Sequence, residues 1–130
     1  MALISRDVFL QPYVPPVEEV LCPEFGPDAA VAVHGMTVRE RSAFEQQFLS
    51  KKSGERMDSK VQEYRERTLV ACCRDASGAP LFTLADVRQL GQANPTIVDR
   101  LVTVARRLSG MTADESMEDA AKNSEQTPGD

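Results

Sequence analysis

Few residues of this sequence have a type and spacing suited to chemistry, and its single histidine is the first to consider. His34 stands beside Gly35 at the end of a β-prone run. No second histidine and no cluster of acidic residues completes a metal site with it. We therefore expect His34 to be a surface residue with no role as a general base or a ligand.

The three cysteines do not form a recognisable site either. Cys72 and Cys73 are adjacent, whereas paired zinc ligands are typically separated by about two to four residues. Cys72 falls on the apolar stripe of a predicted helix, which favours small core residues over the alternatives, a redox pair or an adventitious metal site. With Cys22 the number of cysteines is odd, so we expect reduced thiols and a cytoplasmic protein.

Motifs for nucleophilic or phosphate chemistry are missing from the sequence. It contains no Gly-x-Ser-x-Gly and no His-Glu-x-x-His, and the turn at 75–78 lacks the lysine of a phosphate-binding loop. The sequence therefore predicts a protein that is not an enzyme, with no catalytic residue, no cofactor and no metal.

The charge distribution argues against a nucleic-acid partner. Residues 112–130 hold six acidic residues and one lysine, which accounts for the whole net charge of -5. The segments 84–91 and 95–109 look like a helix-turn-helix. The second of them carries few basic residues, and most lie at its far end, although DNA is read near the N-terminus of such a helix. We expect no nucleic acid among the partners.

Nothing in the sequence predicts a membrane segment or a secretion signal. The N-terminus lacks a charged region followed by an apolar one. No apolar run approaches the roughly 18 residues that a membrane-spanning helix needs. The expected location is the cytoplasm.

Outside its helices, the sequence predicts an N-terminal arm, a β-hairpin and a C-terminal tail. Three prolines exclude a helix across residues 1–16, apart from one short turn, and predict an extended arm. Two β-prone runs flank turn-forming residues at 25–28 and predict a hairpin over 17–34. Residues 112–130 are rich in polar and acidic side chains and predict a disordered acidic tail.

Helices fill the rest of a single predicted domain over 17–111. The clearest signals are the capping box Thr37-Val-Arg-Glu40 and the start Asn94-Pro95. Apolar periodicity places the helices at about 38–50, 57–73, 84–91 and 95–109. The predicted fold class is α+β, mainly α: a small N-terminal β-hairpin followed by a compact bundle of about four short helices.

With no chemistry to assign, binding to a partner is the class of function that remains. The best candidates for contact are apolar residues that the helices do not require: Phe9, Leu10 and Tyr13 in the arm, and Val31 and Val33 in the hairpin. The alternative, that each of them simply covers the helices, stays open.

The order of several short motifs along the chain is informative. Pro16-Val-Glu-Glu-Val-Leu-Cys-Pro-Glu-Phe-Gly26 precedes Ala30-Val-Ala-Val33 and the capped helix Met36-Thr-Val-Arg-Glu-Arg-Ser-Ala-Phe-Glu45. The stretch Leu69–Gly91 then combines Leu-Val-Ala, an Asp-x-x-Gly turn, Leu-Phe and an Asp-Val-x-x-Leu helix. Lys122-Asn-Ser-Glu-Gln-Thr-Pro128 follows. Together these motifs resemble the tail assembly chaperones of long-tailed bacteriophages or prophages, over residues 16–128.

Two positions depart from the pattern of that family. Phe25 stands where a tryptophan is common, and Ser109 stands where an asparagine often precedes the final glycine. Neither departure touches a catalytic role, because the family has none.

The resemblance implies a function in building the phage tail. Chaperones of this family bind the long helical tape measure protein in the host cytoplasm, before the tail tube forms, and are absent from the finished virion. Self-association is expected. A longer form made by ribosomal frameshifting recruits the major tail (tube) protein in this family, and this chain resembles the short form.

Two other functions are left open by the sequence. One is a small acidic-tailed regulator of transcription, which would bind DNA in a salt-sensitive manner. The other is a structural tail or connector subunit, which would remain in the virion.

Overall fold

The computed structural model describes residues 2–49 and 60–111 of the chain. Three strands lie within these residues, at Val17–Leu21 (β1), Ala30–His34 (β2) and Cys73–Arg74 (β3). The α-helices are Arg6–Phe9 (α1), Val38–Gln46 (α2), Tyr64–Cys72 (α3), Val87–Leu90 (α4) and Pro95–Leu108 (α5). Single 3-10 turns occupy Pro23–Phe25 and Leu84–Asp86. The predicted α+β, mainly α, class is confirmed.

The three strands form one antiparallel sheet in the order β1-β2-β3. The predicted hairpin is present, with Val17 opposite His34 at one end of the β1–β2 pair and Leu21 opposite Ala30 at the other. Gly26, in the connecting turn, adopts a φ of 145°, which favours glycine.

The third strand corrects the sequence-based boundary of the second long helix. That helix was predicted to include Cys73, but α3 ends at Cys72, and Cys73 has extended dihedral angles. Cys73 pairs with Val33 of β2. A two-residue strand is too short to show a periodicity, and its pairing depends on a residue far away in the chain.

Local signals start α2 and α5 where the sequence predicts. The Glu40 backbone N–H donates to the Thr37 hydroxyl at 3.2 Å, and the Thr37 backbone N–H donates to the Glu40 carboxylate at 2.9 Å, which completes the capping box of α2. At the start of α5, the Asn94 side-chain oxygen accepts from the Thr96 N–H at 2.9 Å. The predicted helix at 84–91 is instead a 3-10 turn followed by the single turn α4.

The core lies between one face of the sheet and the helices. Helix α5 packs across β1 and β2, and α3 packs against α5. Ring centroids 5.1–5.5 Å apart join Phe44, Phe48 and Tyr64 into an aromatic cluster that links α2 to α3. Most other core residues are aliphatic, as the low aromatic content requires.

Three predictions lie wholly or partly outside the described residues. The disordered tail at 112–130 lies entirely outside them, as do the predicted last residue of the first long helix and the first residues of the second. Within the described residues the first long helix, predicted to reach about residue 50, already ends at Gln46. Residues 60–62 are helical and precede α3.

Candidate partner-binding surface

The N-terminal arm, described from residue 2 to residue 16, exposes most of its apolar side chains. Phe9 is 74% exposed and Leu10 58% exposed, and Tyr13 is also exposed. Among the described residues, the hydrogen bond that ties the arm to the domain joins the Gly35 N–H to the Pro16 carbonyl oxygen at 2.9 Å. The arm residues predicted to contact a partner are therefore accessible.

Helix α1 within the arm has little stability of its own. It comprises four residues, buries none of them, and is capped by the Ser5 hydroxyl, which accepts from the Val8 N–H at 3.3 Å. An isolated helix this short is unstable in water, because the entropy lost in ordering its backbone exceeds the stabilisation from one turn of hydrogen bonds. Packing against a partner would supply the missing stabilisation.

The hairpin residues predicted for partner contact face inwards. Val33 is fully buried in the core, and Val31 is half-buried and packs against it. The prediction that both share one face of β2 is correct, but α5 covers that face. This corrects the expectation for Val33, whose side chain has no surface left for a partner.

The face of β1 that points away from the core is exposed, and the sequence did not predict this. On β2 the same face is partly covered, because His34 is buried there beside Arg74 of β3. Alternation along β1 places Val17, Glu19 and Leu21 on this face, where Val17 is 63% and Leu21 is 65% exposed. Ala30 and Ala32 lie opposite Leu21 and Glu19 on β2. We call these five residues the open sheet face. The sequence did contain a signal for this surface. Strand β1 has apolar residues at both odd and even positions, so its two faces must both carry apolar side chains.

One end of the β1 edge is closed by helix α5. The Arg100 guanidinium donates to both carboxylate oxygens of Glu24, at 2.9 and 2.8 Å, and approaches the Leu21 carbonyl oxygen at 3.5 Å. The hydrogen bonds from Arg100 lower the pKa of Glu24 to about 2. At the other end of α5, Arg107 pairs with Glu18 at 2.8 Å. These ion pairs fasten the core side of the hairpin to α5 and leave the open sheet face uncovered.

His34 is buried, which corrects the expectation of a surface residue. Its Nε2 accepts from the Arg74 guanidinium, and its Nδ1 lies 2.8 Å from the Gly35 carbonyl oxygen, to which it donates in the neutral tautomer that these two contacts require. Arg74 also lies 3.9 Å from the Glu40 carboxylate. Because Arg74 belongs to β3, the unpredicted strand is what covers the histidine.

All three cysteines are buried. Burial raises the pKa of Cys72 to about 11 and that of Cys73 to about 12, and Cys22 is fully buried as well. Across residues 2–49 and 60–111, no three His, Cys, Asp or Glu side chains are grouped so that they could hold a metal ion. The placement of Cys72 and Cys73 fits the predicted role of small core residues.

Within the described residues, no helix is both long enough and apolar enough to cross a bilayer.

The fold has a known counterpart. It is similar to the solved structure of the tail assembly chaperone of bacteriophage HK97, with a TM-score of 0.53 and 14% sequence identity. The similarity covers 72% of this chain and 85% of that one. At this identity the comparison shows a shared fold. No protein-family model matches the chain, and no curated protein matches it.

Proposed function

We propose that this protein is a non-catalytic tail assembly chaperone of a long-tailed bacteriophage or prophage, and that it binds the tape measure protein. The observation that carries the proposal is the fold shared with the HK97 tail assembly chaperone over 72% of the chain. The resemblance in motif order over residues 16–128 supports the same family. Under this proposal the protein acts in the host cytoplasm and is not part of the mature virion.

The exposed apolar surfaces suit such a role. Monomeric soluble proteins rarely expose contiguous apolar patches larger than a few hundred Å², and larger patches mark sites of association. Here the arm exposes seven large apolar side chains between Leu3 and Val14, each more than half exposed. We propose that Phe9, Leu10 and Tyr13 contact a protein partner.

Self-association is part of the proposal. A long helical partner offers many similar sites in a row, so weak contacts repeated by several copies give strong overall binding. A longer form of the chain would bring the major tail (tube) protein to this assembly.

The arginines of α5 support a protein partner over DNA. Arg100 donates both of its terminal nitrogens to Glu24, and Arg107 pairs with Glu18. The buried Arg106 donates to the Tyr64 hydroxyl at 2.6 Å. The basic side chains that a helix-turn-helix would need for phosphate contacts are thus engaged within the fold.

Coexpression with the tape measure protein tests the proposal. The full chain is expressed with a helical fragment of the tape measure protein from the same phage genome, and with an unrelated coiled-coil fragment of equal length as the control. We expect the tape measure fragment to become more soluble and to co-purify with the chain, while the control fragment does neither. Failure to retain the tape measure fragment would overturn the proposal.

Mass spectrometry of purified virions separates a chaperone from a structural subunit. We expect tail proteins to be detected and this chain to be absent. Detection of the chain at the level of other tail proteins would assign it to the particle as a tail or connector subunit.

A further inference from the structure

We propose that the open sheet face of one copy is the docking site for the N-terminal arm of a second copy. This deepens the proposed function, since it rests on the self-association included there and assigns the surfaces that produce it. The arm and the open sheet face are separate surfaces of the same chain, and the large apolar side chains of both are exposed in the described residues.

The two surfaces match in shape and polarity. The open sheet face has large apolar side chains, Val17 and Leu21, on the edge strand and small ones, Ala30 and Ala32, beside them on β2. Ala32 is half-buried next to Arg74 of β3, whereas the exposed Ala30 leaves room beside Leu21 for a bulky side chain. In the arm, α1 and the residue after it present such side chains, including Phe9.

The charges of the two surfaces are complementary. Glu19 stands between Val17 and Leu21 on the open sheet face, and it is exposed. Arg6 begins α1, three residues before Phe9, and its side chain is 83% exposed. Its contact with Asp7, at 4.0 Å between two exposed groups, is weak. With Phe9 seated between Val17 and Leu21, Arg6 is placed to pair with Glu19 of the other copy.

The root of the arm favours a second copy over docking onto its own sheet. Pro15 and Pro16 fix their backbone φ angles and hold this segment extended. The Pro16 carbonyl oxygen is bonded to the Gly35 N–H, which aligns the last arm residue with β1. To reach its own face, the arm would have to reverse direction within the few residues between Leu10 and Pro15. Leaving its domain along the line of β1 requires no reversal.

Sedimentation of the full chain and two substituted forms tests the docking. An arm variant carries Phe9→Ser and Leu10→Ser, and a face variant carries Val17→Ser and Leu21→Ser. We expect the wild type to self-associate and each variant alone to associate on the order of 100-fold more weakly, because two large apolar side chains no longer become buried. Mixed together, the variants should form a one-to-one pair, since the intact face of one still accepts the intact arm of the other.

A matched control and a charge exchange refine the test. Leu84 is 58% exposed, as Leu10 is, but lies outside both surfaces, so Leu84→Ser should leave self-association unchanged. Arg6→Glu and Glu19→Arg should each weaken association by about fivefold, and their combination in one chain should restore it. Circular dichroism and thermal melting establish that each form is folded.

The outcomes separate this inference from the proposed function. A monomeric wild type, or a variant mixture that does not pair, overturns the arm-to-face docking. A face variant that loses the tape measure fragment while the wild type alone is monomeric also overturns it, because the face then belongs to that partner. Capture of the tape measure fragment by a monomeric wild type would leave the chaperone role standing without this interface.

Discussion

Replacing Gly35 with alanine should destabilise the fold, although alanine usually stabilises a backbone of ordinary conformation. Gly35 is buried and its φ is not positive, so conformational entropy alone predicts a gain of about 0.4–1 kcal/mol from the substitution. A β-carbon at this position, however, would overlap the carbonyl oxygen of Leu108 and lie 2.8 Å from the carbonyl carbon. Both obstacles are backbone atoms of α5, which packs on the sheet beneath.

The magnitude follows from the groups that have to move. Relieving the overlap requires a shift of the β2–α2 connection away from α5, and overpacking of this kind costs about 1–3 kcal/mol or more. The shift would also strain the bonds that Gly35 makes to Pro16 and His34. Set against the entropic gain, we expect Gly35→Ala to lower the free energy of unfolding by about 2 kcal/mol, which corresponds to about 8–16 °C in Tm for a domain of this size.

Gly78→Ala is the matched control, because Gly78 differs from Gly35 both in its backbone conformation and in the space around it. Gly78 has a φ of 87°, and no atom of residues 2–49 or 60–111 outside its immediate neighbours lies within 4 Å of an added β-carbon. It should therefore cost only the strain of a left-handed residue, about 1–2 kcal/mol, without altering the packing. Urea unfolding followed by circular dichroism measures both variants. If Gly35→Ala leaves the stability unchanged or raises it, the close approach of this loop to α5 is not real.

Three further perturbations test the interior and its ion pairs. The thiol of Cys73, with its pKa raised to about 12 by burial, should resist thiol reagents at pH 8 until denaturant unfolds the chain, as absorbance-based labelling would show. Tyr64→Phe removes the hydroxyl that accepts from Arg106 and should lower the unfolding free energy by about 1–2 kcal/mol in urea titrations. Arg100 lowers the pKa of Glu24 from 4.5 to about 2, so their ion pair contributes stability above pH 4.5 that is lost as the pH falls towards 2. Thermal melting across that pH range should therefore show a weaker pH dependence for Glu24→Gln than for the wild type.

Local chemistry explains which parts of the fold were predictable. A capping box joins groups three residues apart. Thr37 and Glu40 therefore predict the start of α2 from the local sequence alone. The same holds for Asn94 at the start of α5 and for the turn residues of the hairpin. Each of these signals lies within a few consecutive residues, and α2, α5 and the hairpin are found at the predicted positions.

Long-range contacts explain what was missed. Strand β3 exists because Cys73 meets Val33, a residue 40 positions earlier, and no local pattern records that pairing. The burial of His34 follows from the same contact, since it brings Arg74 over the imidazole. The orientation of the hairpin also depends on α5, which covers the face bearing Val33 and leaves the face bearing Leu21 open.

The exposed apolar side chains of the arm and of β1 lie apart from the core. The interior is closed by α5, the sheet and the aromatic cluster, and none of these contacts involves the arm or the outer side chains of β1. Neither Phe9 nor Leu21 belongs to the core cluster of the described residues, so the packing of that cluster does not constrain either residue. Contiguous exposed apolar patches, unlike single apolar residues, mark sites of association or a risk of aggregation. The proposed burial of one surface against the other between two copies would account for the apolar character of both.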